Sequence, residues 1–311
     1  MRLMAVTFAV ALSITALTSV SGAGGDDPPH PLCALSPRAE TETYRLDGRL
    51  GVAVVDTTTG ALWSGGEQGA FTLHSISHVV LAFAVAMQFS DEGVEPTDEL
   101  RALLHPLVVR GEGWAARRVW NWLGGANGVN EFYLRVRAEQ LIPGVDRDLW
   151  GLARGRVVDV ARMLSAVTTT RELSPEMRSA VYEFMSSTWS ANMWRGVVYP
   201  TFSEWQIAIE TGWFIPQWRA FRIHQVLILF NPSGEARYAI AVLYDGTAAA
   251  EQIWLTLNAI QRALAEDLSR RESGSVYGDQ QCQQFGLWLS TLDRTGDASN
   301  SDPWLLFAAK P

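Results

Sequence analysis

Lysine is almost missing from this chain. Of 311 residues one is lysine, Lys310, beside the C-terminal Pro311, so chemistry that needs a lysine inside a fold is excluded. Arginine supplies nearly all the positive charge. A formal charge of −8 and no visible basic face exclude nucleic acid as a partner, because phosphate binding needs one. Cysteine is scarce too. Cys33 and Cys282 have no Cys or His partner at ligand spacing, which argues against zinc. In an oxidising compartment such a pair, one near each end, favours a disulfide, with two unpaired thiols as the alternative.

What is present begins with export. Met1-Arg2, the apolar run Leu3 to Val20 and Ser21-Gly22-Ala23 have the charged start, apolar middle and small-residue exit of a signal peptide. Residues 1–23 are read as that signal, with an uncleaved anchor as the alternative. The protein is therefore expected outside the cytoplasm, with no membrane contact beyond this segment. Residues 24–45, rich in Gly, Asp, Pro and Ser, read as a tether; 46–271 form the domain and 272–311 an extension.

Leu50 to Asp56 reads as a strand, Thr57 to Gly60 turn it, and Ala61 to Ser64 return. From Ser75, Val79, Leu81, Phe83, Ala84 and Met87 crowd every side of a helix that should be buried all round. About 91–199 is a helical block broken at glycines and prolines. Strands follow at Trp205 to Phe214, Phe221 to Phe230 and Ala236 to Tyr244. A long helix from Thr247 to Arg270 then places Ile253, Leu255, Leu257, Ile260 and Leu264 on its apolar side, and Glu266 to Glu272 reads as a solvated charged face. Strands at both ends of a domain with helices between them imply an α/β (α+β) fold. One antiparallel sheet is built from both chain ends, with an inserted all-helical subdomain and a cleft where the two meet.

The segment Phe71-Thr72-Leu73-His74-Ser75-Ile76-Ser77-His78 resembles the Ser-x-x-Lys nucleophile segment of class A serine β-lactamases and penicillin-binding proteins. Ala115-Ala116, Leu123-Gly124-Gly125 and Glu210-Thr211-Gly212-Trp213 look like further landmarks of that family, in order, over roughly Leu46 to Arg270. The chain is similar above all to divergent, exported, β-lactamase-related actinobacterial proteins. The resemblance implies Ser75 as nucleophile, and the Ser75 and Trp213 N–H groups as an oxyanion hole. Trp114, Thr211, Gly212 and Trp213 would line the substrate cleft.

The departures fall on the chemistry. His78 stands where the family has lysine, Gly111-Glu112-Gly113 where it has Ser-Asp-Asn, and Glu210 where it has the lysine that recognises the substrate carboxylate. No counterpart of the deacylating glutamate is found between Val145 and Arg156, which is expected to run directly into a helix. Two unit charges about 4 Å apart at a dielectric near 20 interact by roughly 4 kcal/mol, so a carboxylate at 210 works against anionic β-lactams.

Two readings of the remnants compete. Ser75, His78 and Glu210 form a substitute triad of a serine hydrolase, or they are polar leftovers, Ser75 a helix cap, in a non-catalytic protein binding a cell-wall or other small-molecule ligand. The indoles could stack on such a ligand, although tryptophan more often packs. His74 and His78 share a zinc-like spacing, but His74 precedes the helix and only Glu210 or Glu112 could be a third ligand. No metal and no cofactor are expected.

Overall fold

The computed structural model describes residues 47–146, 148–188, 202–214 and 221–273. The signal segment, the tether, both cysteines, and Trp189, Trp194 and Trp218 lie outside them.

Five strands form one antiparallel sheet in the order β2-β1-β7-β6-β5, with β1 Gly48–Asp56, β2 Leu62–Gly66, β5 Gln206–Phe214, β6 Phe221–Phe230 and β7 Ala236–Gly246. The register pairs Gly48 with Gly246 and Asp56 with Tyr238, so the first strand of the domain is zipped to the last. Both faces of this sheet are covered, and the strands alternate between two cores. Val52, Val54, Ile240, Val242 and Tyr244 face the long C-terminal helix, while Ala53, Val55, Ala239, Ala241 and Leu243 face the helical block. That double burial explains why β1 reads as a continuous apolar run.

Seven helices are described: α1 Ser77–Asp91, α2 Asp98–Leu104, α3 Gly113–Trp122, α4 Ala126–Arg135, α5 Val157–Thr169, α6 Pro175–Ser186 and α7 Ala250–Glu272. Thr97 and Ser174 cap α2 and α6 by accepting the backbone N–H groups of Leu100 and Met177. Helix α1 is apolar all round and buried almost throughout, as its composition dictates. Helix α5 lies against the small side chains of β1 and β7. Gly51 is needed there, since a Cβ would meet Val157 at 3.1 Å and the Glu67 carbonyl at 2.5 Å.

Several expectations need correcting. Leu255 is 64% exposed, because only the row Ile253, Leu257, Ile260 and Leu264 reaches the sheet. The Glu266 to Glu272 stretch is not a solvated face. Asp267 is buried against Arg270, Arg271 reaches Asp56, and Glu272 bonds Arg237 and Tyr238. Val145 to Arg156 does run directly into α5 at Val157, but it is not a plain loop. It holds a 3-10 turn, Trp150–Leu152, and a short strand β4, Arg154–Arg156, paired with β3, Ala70–Thr72.

Candidate functional site

Ser75 lies in a 3-10 turn, His74–Ile76, immediately before α1, and neither that turn nor α1 is capped by a side chain. The turn presses on β5. A Cβ at Gly212 would stand 2.9 Å from the Ser75 Cβ and 3.0 Å from the Ile76 nitrogen, so only glycine lets strand and turn approach this closely. Ser75 stays partly exposed at this junction. His74, just before it, adopts φ +47°, a left-handed conformation costing a non-glycine residue on the order of 1–2 kcal/mol. Local strain of this kind persists where surrounding contacts fix it.

Those contacts form a cluster that the sequence reading missed. Arg222 donates to His74 Nε2 at 2.9 Å, so Nε2 is the acceptor nitrogen of that ring. Arg222 also meets Asp245 at 3.2 Å, as does Arg49. The His224 ring stacks 6.3 Å from that of His74 and bonds the Thr72 carbonyl through Nε2 at 2.8 Å. Burial lowers both histidines to about 4, and Arg222 adds to the effect at His74. His74 is thereby committed to the sheet, whereas His78 points elsewhere.

His78 lies one turn on, 2% exposed. Trp150 packs on its ring at 4.7 Å with planes tilted by 41°, and a Cβ at Gly111 would lie 3.5 Å from its Cε1. Neither ring nitrogen has a hydrogen-bond partner among the described residues, nor does the buried Ser77 hydroxyl. Burial lowers His78 to about 4, opposed weakly by the nearby Ser75 backbone, so the ring is neutral at pH 7. Trp150 thus covers the histidine from the segment where the family's deacylating glutamate would be sought.

Glu210 shares a face of β5 with Ala208 and Gly212, the face toward the helical block, and is 5% exposed. Burial drives its carboxyl well above the usual carboxylate range. Burial thus favours its protonated form, and what this point of β5 lacks is the family's cation. Holding a proton there weakens the charge repulsion expected from a carboxylate. No hydrogen bonds join Ser75, His78 and Glu210 into a chain among the described residues.

Among the other predicted site residues, Gly212 is brought to Ser75. Thr211 points to the opposite face, where Gln225 bonds its hydroxyl at 3.4 Å and Gln261 of α7 bonds Gln225 at 2.7 Å. Trp213, on that same strand face, is 62% exposed and Trp114 47%. The Trp114 indole N–H donates to Glu112, which also pairs with Arg110 at 3.0 Å. A separate cavity of about 200 Å³ opens beside Gln88, Asp91, Glu131 and Arg135, at the far end of α1 from Ser75. Among the described residues no His, Cys, Asp and Glu cluster suits a metal ion.

The model of the beta-lactamase enzyme family matches residues 99–268. Among solved structures, a β-lactamase from Xanthomonas campestris pv. campestris is 18% identical, with 74% of this chain and 96% of that one covered at a TM-score of 0.60. One from Chitinophaga pinensis is 17% identical over 73% and 97%, TM-score 0.64. The TLA-3 extended-spectrum β-lactamase is 14% identical over 74% and 97%, TM-score 0.64. Such identities establish a shared fold. No curated protein matches the chain by sequence.

Proposed function

Because the chain belongs to the beta-lactamase enzyme family, we propose that it is an exported member with degenerate catalytic motifs, which binds a cell-envelope ligand in the old cleft without turning it over. The observation that carries this reading is the missing proton path. Acyl transfer by a serine needs a base in hydrogen-bond reach of its hydroxyl. The His74 ring accepts from Arg222, the His78 ring is buried with no side-chain partner among the described residues, and burial favours the protonated form of the Glu210 carboxyl. Export rests on the N-terminal segment; no helix among the described residues is long and apolar enough to cross a membrane.

A second reading, a serine hydrolase using Ser75 with His78, draws support from the backbone. The tight approach of Gly212 to the Ser75 turn is the junction at which a Ser75 and Trp213 oxyanion hole would form. The test is turnover of penicillin, cephalosporin and a small uncharged activated ester, each against Ser75→Ala. No difference at pH 7 is expected, while soluble cell-wall fragments should raise the melting temperature. Ester or β-lactam hydrolysis lost in Ser75→Ala would overturn the non-catalytic reading and select the second.

A further inference from the structure

Helices α1 and α4 line the cavity at the far end of α1 with two rows of the same spacing. Ala84, Met87, Gln88 and Asp91 lie at i, i+3, i+4 and i+7 of α1, and Gly128, Glu131, Phe132 and Arg135 lie so on α4. Where the rows begin, both residues are small. A Cβ at position 128 would stand 1.8 Å from the Leu123 carbonyl oxygen, so the chain needs glycine there, and Ala84 offers a single methyl group. The space left is the cavity of about 200 Å³, with Met87, Leu123 and Phe132 as its apolar walls.

Where the rows end, Asp91 and Arg135 join the two helices. Both carboxylate oxygens accept from the guanidinium, at 2.5 and 2.7 Å, and Arg135 Nε donates to Glu172 at 2.5 Å. The arginine of the cavity is thus held between two carboxylates. A third, Glu131, lines the cavity with no side-chain partner among the described residues, and the Gln88 amide has none either. Three carboxylates against one guanidinium leave two negative charges beside apolar walls. We propose that this cavity binds a small organic cation, an amine or amidine on a short apolar body, with its head donating to Glu131 and to the Gln88 side-chain carbonyl and its body against Met87, Leu123 and Phe132.

An ammonium head supplies the donors that a carboxylate, an acceptor only, requires. An anion would meet the excess charge with the wrong sign, and among the described residues no His, Cys, Asp and Glu cluster suits a metal ion. The ion pair at one end and Leu123 at the other bound the cavity lengthwise, which suits a whole small molecule and not a length of chain. The site lies apart from the cleft and stands whether or not the cleft holds a ligand.

Benzylammonium, benzyl alcohol and benzoate carry one ring and charges of plus one, zero and minus one at pH 7. With the methionine methyl groups isotopically labelled, the Met87 resonance is assigned from its loss in Met87→Leu, and each compound is titrated against it. Benzylammonium should move that resonance saturably at millimolar concentration and bind about fivefold more tightly than benzyl alcohol, with benzoate weaker than either. Glu131→Gln, at an exposed position of α4, should weaken benzylammonium about fivefold and leave benzyl alcohol unchanged. Ala84→Leu should fill the space and abolish the response; if that variant does not fold, Glu131→Gln decides. A Met87 resonance that stays fixed, benzyl alcohol binding as tightly as benzylammonium, or Glu131→Gln binding as wild type does would overturn the proposal.

Discussion

A single carboxyl, Glu210, shows how burial changes the meaning of a residue. In sequence it reads as a negative charge; in the fold burial favours its protonated form. Its folded pKa lies above the unfolded value, so over that window the native state holds a proton the unfolded chain has released. Stability from this group is present at low pH and is lost as pH rises toward the folded pKa, by about 1.4 kcal/mol per pH unit. His74, His78 and His224 act in the opposite direction. Held near 4, they remain neutral while the unfolded chain takes up protons below about 6.5, so their contribution falls between pH 6.5 and 4. The histidines cancel when Glu210→Gln is compared with wild type. We expect the stability of the variant relative to wild type in urea unfolding to rise from pH 4 to pH 8. The same relative stability at both pH values would mean that Glu210 is solvated.

At the scale of the element, Asp56 ends β1 and ties three pieces of the fold together. It accepts the N–H groups of Thr58 and Thr59 at 3.0 and 3.1 Å in the hairpin turn, and pairs with Arg237 of β7 and with Arg271 of α7 at 2.9 Å. Burial alone would raise its pKa, but the Thr59 N–H and Arg237 outweigh that and hold it below the usual value. Asp56→Asn keeps the shape, leaves Arg271 short of its counter-charge and leaves Arg237 with Glu272. A loss of about 2–3 kcal/mol is expected in urea unfolding, below the figure for a fully buried pair because both arginines keep some solvent; under about 1 kcal/mol would show the network to be ornamental.

Elements also mark where sequence reading stops. Strands β1, β5, β6 and β7 were legible because their apolar residues run in blocks bounded by turns, and α1 because it is apolar all round. The β3–β4 pair was not, since three-residue strands joined across more than 80 positions have no periodicity to detect. In the site, Ser75 and Gly212 were legible from motif order. Trp150 over His78, and Arg222 on His74, were not, because each is a contact between distant segments that only the closed fold creates. The charges of α7 misled for the same reason, since their partners lie in β1 and β7.

The whole molecule is organised by one fact, the pairing of β1 with β7 across nearly 200 residues. The sheet is complete only when both ends of the domain are in place, and α5 then packs on the join. The helical block and the sheet share one core, in which Val79 and Phe83 of α1 sit in the same cluster as Ala53 and Ala241. Unfolding should therefore be cooperative. Far-UV circular dichroism and tryptophan fluorescence should give coincident urea transitions; a helical signal that outlasts the fluorescence change would show a separable subdomain. Long-range pairing of this kind also places folding among the slower α/β domains.

The same pairing has a mechanical consequence. The chain enters β1 at Gly48, beside Gly246, while α7 carries the other end back the length of the sheet to Glu272, beside Arg237 and Tyr238. A pull on the two ends of the domain therefore runs along the strands. Hydrogen bonds of an antiparallel ladder lie across that direction. Under tension β1 is loaded in shear, with all its rungs against β2 and β7 sharing the force at once, and it cannot be peeled away one rung at a time. A domain pulled in this way would hold its shape under drag.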